Sequence, residues 1–438
     1  MQTVLRNGTM IDGTGADPIK RISLAFENGI VTQIASVDTL RPNEGDRVID
    51  LDGQVVMPGL IDAHTHIGYH SRQPDVWIQE LKESVELNTL NAAANAKTIL
   101  HCGFTSIGDG GCRGFISSAV RDAISTGLIE GPRIRAAGAI ICGEAGLLDS
   151  TPPWHEARTH ASLGMMVNGA DEVRGAVRRQ VKGGVDWIKV AASGVAGSKY
   201  SGPDVDDLSY EEIRVAVEEA AKFGRKVHAH AHSVGGIRSA VRAGAISVHS
   251  AEFADQAAIE EMRDARVYFS PTIAWIHARC MPKYGAPTDP EFVEDAWNSY
   301  DAARRMIPDA VKLGATIALG SDAAHRFPHV PDAVIELEYF VALGLSPMQA
   351  IVSATSSAAE AIGCGGSIGT LQVGKAADIL VIDGNPAENI SILRDKARIT
   401  YMWKGGGEVK LPPNRGRIGD AFDPVKTLWL DLEELVAA

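Results

Sequence analysis

The sequence predicts an α/β protein: a (β/α)8 TIM barrel with a small β-sandwich module built from both chain ends. Three observations predict it. β-like runs punctuated by turn residues lie near each end, short apolar runs alternate with helical ones between them, and the rhythm changes near Pro58 and again near Gly366. The expected boundaries are residues 1–57 with 367–438 for the module and 58–366 for the barrel.

At the N-terminal end, residues 3–5, 22–26 and 30–34 are apolar and partly β-branched, and Asn7-Gly8 and Asn28-Gly29 fall between them. Both residues of an Asn-Gly pair tolerate positive φ, so each pair signals a hairpin turn. Residues 48–51 and 54–57 continue around Asp52-Gly53, and the expectation is a small antiparallel sheet. Beyond Pro58, the run before His64 and residues 105–108, 133–136, 187–190, 226–230, 247–249, 267–270 and 316–320 supply eight strands. Among the helical stretches between them, 209–223 opens on Ser-Tyr-Glu-Glu, which has the form of a capping box. After Gly366, residues 377–382 end at Asp383-Gly384 and residues 399–403 lead into Gly405-Gly406-Gly407. The stretch Gly369 to Lys375 has phosphate-loop spacing, but Ala376 stands where a hydroxyl must hold magnesium and no apolar strand feeds it. It reads as a turn.

Composition sets limits on function. Hydrophobic residues make up 45% and charged residues 22% of 438, the balance of a globular protein. A net charge of −13 leaves no basic excess to neutralise phosphates, so no nucleic-acid partner is expected. No apolar run approaches the roughly 20 residues of a membrane span, and the N-terminus shows no secretory signal. Five scattered cysteines without CxxC spacing read as reduced thiols in a cytoplasmic protein.

The chemistry is expected at strand ends. In Val55-Val56-Met57-Pro58-Gly59-Leu60-Ile61-Asp62-Ala63-His64-Thr65-His66, the two histidines are spaced i, i+2 and face one side of a strand, where they can hold one divalent cation. Two core or surface histidines would read the same way. Lys189 lies in an apolar run, where a cation is costly unless paired or neutralised. Either its ammonium snorkels to a surface, or CO2 converts the amine into an anionic ligand bridging two metals. His228, His230 and His232 alternate along the next strand, and His230 is the ligand choice, nearest the strand end. His249 follows, and Asp322 stands at a strand-to-loop junction, where a carboxylate can bind metal and accept a proton from the attacking water. Any one of these could be structural. Together they occur in barrel order, and barrel sites collect at the C-terminal ends of strands.

Three motifs make the chain resemble the amidohydrolase superfamily over nearly its whole length: PGLIDAHTH, GSDA, and Gly369-Thr370-Leu371-Gln372-Val373-Gly374-Lys375-Ala376-Ala377-Asp378-Ile379. Lys189, the stretch around His230 and Arg242-Ala243-Gly244 resemble its imidazolonepropionase-like and Xaa-Pro dipeptidase-like branch. The resemblance implies two divalent metals, usually zinc. His64, His66 and Asp322 would hold one and His230 and His249 the other, with carboxylated Lys189 between them. A metal-bound hydroxide would attack the amide carbonyl while Asp322 passes the proton to the leaving nitrogen. The expected partner is a small-molecule amide, and the expected assembly a homo-oligomer. The chain departs from the branch twice. An ungapped count from Arg242-Ala243-Gly244 puts Ser250 at the ligand position and His249 one residue early, and a one-residue slip reverses a side chain's face. Ala145 replaces a histidine that relatives often place near the substrate.

Tyr200, His232, Tyr268, His325 and Trp275 are the candidate pocket residues, read equally well as ordinary loop and surface side chains. The favoured reaction is hydrolysis of a C–N bond in a dipeptide, N-acyl amino acid, carbamate, urea or lactam. One alternative is a deaminase with a single metal, but it lacks the usual glutamate after the fifth-strand histidine and leaves Lys189 unexplained. The other is a non-catalytic scaffold of the same fold.

Overall fold

In the computed structural model, which describes residues 1–69, 79–80, 82–149, 154, 162–198, 200–280, 290–323 and 332–413, the chain opens on five strands. They are β1 (Thr3–Met10), β2 (Ile19–Glu27), β3 (Ile30–Ser36), β4 (Arg47–Asp50) and β5 (Val55–Pro58). The two Asn-Gly pairs fold differently. Asn28 (φ 50°) and Gly29 (φ 84°) make the turn between β2 and β3. Asn7 (φ 60°) falls inside β1, where the register against β2 shifts between Leu5 and Gly8. That pair is a bulge, because the Asn7 carbonyl accepts Gly53 N–H at 2.8 Å and a Cβ on Gly8 would meet Leu51 Cδ1 at 2.8 Å. The expected antiparallel sheet is therefore mixed: β4 and β5 both run parallel to β1, one beside each half of it.

Ten further strands follow in the central region. β6 (Leu60–Thr65), β7 (Phe104–Asp109) and β8 (Arg133–Ala136) form one parallel sheet. β9 (Ile140–Gly143), β10 (Gly164–Val167), β11 (Ile188–Ala191), β12 (Val227–Ala231), β13 (Ser247–Ser250), β14 (Tyr268–Ser270) and β15 (Thr316–Ile317) form a second, also parallel throughout. Backbone hydrogen bonds join the two sheets on both sides. Asp186 N–H donates to Ala136 O at 2.8 Å, and on the other side Ala63 N–H reaches Leu319 O at 2.7 Å and Asp322 N–H reaches His64 O at 2.8 Å. Helices alternate with these strands. One, α1 (Tyr210–Ala221), begins with the expected capping box between Ser209 and Glu212. The architecture is α/β, of TIM-barrel type. No described helix is long and apolar enough to cross a membrane, and all five cysteines are free.

The chain then returns to the first sheet through β16 (Ile379–Ile382), β17 (Ile399–Lys404) and β18 (Gly407–Glu408). Both chain ends thus build one eight-stranded sheet, ordered β18-β17-β16-β5-β1-β2-β3 with β4 on β1. A second, facing sheet is not shown among the described residues, and residues 414–438 lie outside them. Strand alternation divides this sheet's apolar residues between two cores. Val56, Ile379, Val381 and Trp403 join Leu5 and Leu24 in a core of the sheet itself, while Val55, Met57, Leu380, Ile382 and Met402 enter the main core with the helices. The 369–375 stretch is a turn docked on the N-terminal strands, Leu371 N–H bonding Asp12 O and Gly374 N–H bonding Val31 O, each at 2.9 Å.

Candidate metal centre

β6 carries the histidine pair to one end of the parallel strands. His64 and His66 are buried, with rings edge to face at 5.2 Å. Asp322 meets them from the segment that follows β15. Its Oδ1 lies 3.3 Å from His66 Nε2 and 3.8 Å from His64 Nε2, and one ligand atom from each of the three residues falls within 4.8 Å of the others. This corner is fixed by hydrogen bonds. Asp62 Oδ1 accepts His64 N–H at 3.0 Å and Ser321 N–H at 3.1 Å, and its Oδ2 accepts the Ser321 hydroxyl at 2.5 Å. His66 Nδ1 donates to Gly111 O at 2.7 Å, which leaves Nε2 free to bind a cation. Asp322 adopts φ 54°, a left-handed conformation that Asp tolerates better than most residues.

Lys189, on β11, is 2% exposed, and its Nζ contacts His249 Nδ1. Burial lowers the lysine to about 7, against the opposing charges of Asp322 and Asp109. His249 in turn lies 4.0 Å from His64, ring to ring. In the ladder Lys189 pairs with His228 and His230 with His249, so Lys189 starts from a lower level than His230 and its long side chain reaches up to His249. The register question at His249 has a local answer: Ser250 (φ 81°) and Ala251 (φ 57°) break the strand immediately after it. The Ser250 hydroxyl is then 3.1 Å from Thr272 Oγ1, while His249 stays beside Lys189.

Burial holds His64, His230 and His249 well below the usual histidine range, and the Lys189 charge pushes all three the same way. His66 is raised. Burial opposes that rise, but the hydrogen bond and charge of Asp322, together with Asp109, outweigh it. His230 Nε2 and His249 Nε2 are buried without a hydrogen-bond partner. A buried polar nitrogen left without a partner costs about 1–3 kcal/mol. Neutral imidazoles with unpartnered ring nitrogens, beside a carboxylate, are a donor set that fits divalent cations.

The structure thus gathers His64, His66, Lys189, His230, His249 and Asp322. His228 lies lower on β12, its ring 3.7 Å from that of Trp187. His232 is at the mouth, edge to face with His230 at 4.4 Å. Tyr200 is in the loop after β11, 37% exposed. Tyr268 is not brought to the site: it begins β14 rather than ending it, and packs against the cluster that holds Ile61, Ala318 and Ile362. Trp275 is buried under Arg279. His325 falls outside the described residues.

Four acidic residues at or near this end of the strands were not singled out from sequence. Asp62 could have been, two residues before His64 in the same motif. Asp109 also carries a signal, a carboxylate ending an apolar strand. It accepts Ile67 N–H at 3.0 Å and Gly111 N–H at 3.2 Å. Glu252 and Glu336 lie in a loop and a helix with no periodic signal. Glu336 is fully buried and accepts the N–H groups of Ile273 and Ala274 at 2.8 and 2.9 Å.

Known proteins resemble this chain in sequence and in fold. The sequence pattern of the amidohydrolase family matches residues 55–409. Ochratoxinase from Aspergillus niger is 30% identical over 437 residues, covering 94% of this chain and 87% of that protein. The imidazolonepropionase of Symbiobacterium thermophilum is 26% identical, covering 82% of this chain and 83% of that one. Among solved structures, a Xaa-Pro dipeptidase with bound methionine in its active site superposes with a TM-score of 0.83 at 30% identity, over 94% of this chain and all of that one. A prolidase complexed with N-methylphosphonate-L-proline gives a TM-score of 0.85 at 26% identity, with the same coverage.

Proposed function

The chain belongs to the amidohydrolase family, as a metal-dependent hydrolase of C–N bonds, and from that premise we propose that it cleaves the amide of an N-acyl or N-aminoacyl amino acid. In this reading the two parallel sheets close into one barrel, whose C-terminal mouth would hold two zinc ions. His64, His66 and Asp322 would hold one, His230 and His249 the other. Lys189 would become an anionic ligand for both once its amine adds to CO2, forming an N–C bond and losing a proton to solvent. The observation that carries the reading is Lys189 itself, buried among histidines at a strand end with a stranded imidazole nitrogen on His249 beside it. A deaminase with one metal gives that lysine no task. The amino-acid half of the substrate is supported by the relatives whose structures hold methionine and a phosphonate derivative of proline.

When bound, the metals supply Lewis acidity to the amide carbonyl and lower the pKa of water. The chain's own groups handle the proton. Asp322 is placed to accept it from the attacking water as the oxygen adds to the carbonyl carbon. It then delivers the proton to the nitrogen as the C–N bond breaks, releasing a carboxylic acid and an amine. Asp62 keeps Asp322 and His64 in register through Ser321.

The test is metal content together with product analysis. Purified protein is expected to carry two divalent ions and to release free amino acid from N-acetyl amino acids or dipeptides, without ammonia. Protein that holds no divalent metal, or that releases ammonia alone, would overturn the reading.

A further inference from the structure

Beyond the candidate ligands, the mouth of the site holds two buried groups that the proposed mechanism leaves unused. His232 and Glu252 are each 1% exposed. His232 Nδ1 lies 2.5 Å from Glu252 Oε1, and because a carboxylate only accepts, the hydrogen sits on Nδ1. The backbone beneath the ring is also held. His232 N–H donates to Ser193 Oγ at 2.7 Å, and the Ser193 hydroxyl donates to Gly194 O at 3.1 Å. The far atoms of the pair are different, since His232 Nε2 and Glu252 Oε2 are buried without a hydrogen-bond partner. A pair serving only to pack would be expected to satisfy both ends, because each stranded polar atom costs about 1–3 kcal/mol.

We infer that Glu252 is a positioning residue for His232. It commits Nδ1, fixes the ring edge to face with His230, and leaves Nε2 as the ring atom that meets a polar atom of the substrate. The arrangement follows the logic of a carboxylate that orients a histidine without itself reacting. It differs from the ligand set in drawing on two loops, the one after β12 and the one after β13, so it can be altered without removing a metal ligand. It extends the functional reading above and rests on it.

The test uses the metal-loaded protein and the variants Glu252→Gln, His232→Asn and their combination. Each single variant is expected to keep its metal content and to lose about 10–100-fold in kcat/KM, carried mainly by KM. The double variant is expected to be no worse than the poorer single one, because the two groups act as a unit. Nitrogen NMR of the wild-type imidazoles supplies a readout independent of turnover. It should show a hydrogen-bonded Nδ1–H on His232 that disappears in Glu252→Gln, and an Nε2 resonance that moves when N-acetyl-L-methionine is added. Unchanged kinetics in Glu252→Gln, metal loss in either single variant, or multiplied losses in the double would overturn the inference. If the variants fail to fold, an unprotonated Nδ1 in the wild type overturns it. Wild-type protein that hydrolyses no amide refutes the functional reading instead. Hydrolysis with an unmoved Nε2 resonance refutes the pairing alone.

Discussion

The two halves of the candidate centre are built differently. On the β6 side, Asp62 holds the backbone at His64 and Ser321, and Gly111 holds the His66 ring, while His64 Nδ1 is buried without a hydrogen-bond partner. On the β11–β13 side, Lys189 touches His249, and the outward nitrogens of His230 and His249 have none. One half is preorganised by the protein. The other depends on what it binds. On the proposed reading, the first half takes metal tightly by itself, while the second becomes a site only once Lys189 is carboxylated.

The largest effect that could break this comparison is expected from Lys189→Ala. Activity should fall on the order of 10³-fold, the scale on which losing a preorganised electrostatic contact registers. A short-chain carboxylic acid should restore part of it by supplying the missing bridge, and full activity without any additive would remove the lysine from the centre. Next is His249→Ala, for which the metal-to-protein ratio should drop from two to one. A ratio that stays at two would show that the histidine is no ligand. Asp62→Asn probes the preorganised half. It replaces an acceptor of three hydrogen bonds, and first-metal affinity should weaken about 10–100-fold, measured by competition with a chelator. If it leaves that affinity unchanged, the two halves are not different in the way described.

A smaller effect is expected from pH. Burial raises Glu336 to about 8 from an ordinary value of 4.5, outweighing its two backbone hydrogen bonds. Between those values the folded state holds a proton that the unfolded state has released, so this residue's contribution weakens as pH rises through that window. Thermal melts of metal-free protein should show the decline, and Glu336→Gln should flatten it. A slope unchanged by the substitution would show that other groups set it. The smallest effect lies far from the centre. Ser209→Ala removes the capping-box hydroxyl of α1 and should cost about 1 kcal/mol in denaturant unfolding, with activity untouched. A change in metal content there would mean that the centre is less self-contained than its hydrogen bonds suggest.

Much of the site was legible in the sequence because strand geometry is simple. A period of two put His64 and His66 on one face, a lone cation in an apolar run marked Lys189, and a carboxylate at a strand-to-loop junction marked Asp322. What stayed illegible depended on local breaks in that geometry. His249 lies beside Lys189 and is followed by two left-handed residues, neither of them a glycine. Tyr268, a pocket candidate from sequence, begins β14 instead of ending it, and it is the C-terminal ends of the strands that face the site. Glu252 had no pattern at all, since loops bring it to His232. In the fold, the same dipeptide gave a turn at Asn28-Gly29 and a bulge at Asn7-Gly8, and only packing against residues 51–54 distinguishes them.

The pairing of β5 with β16 also orders events in time. β5 leads directly into the strand bearing the histidine pair, and of its two neighbours, β1 precedes it while Ile379–Ile382 comes more than 300 residues later. At ribosomal speeds of about 5–20 residues per second, tens of seconds separate the synthesis of the two strands. The histidines are therefore made early and fully anchored late. A ribosome stalled before residue 379 would display the strand bearing His64 and His66 with β1 beside its entry but without β16.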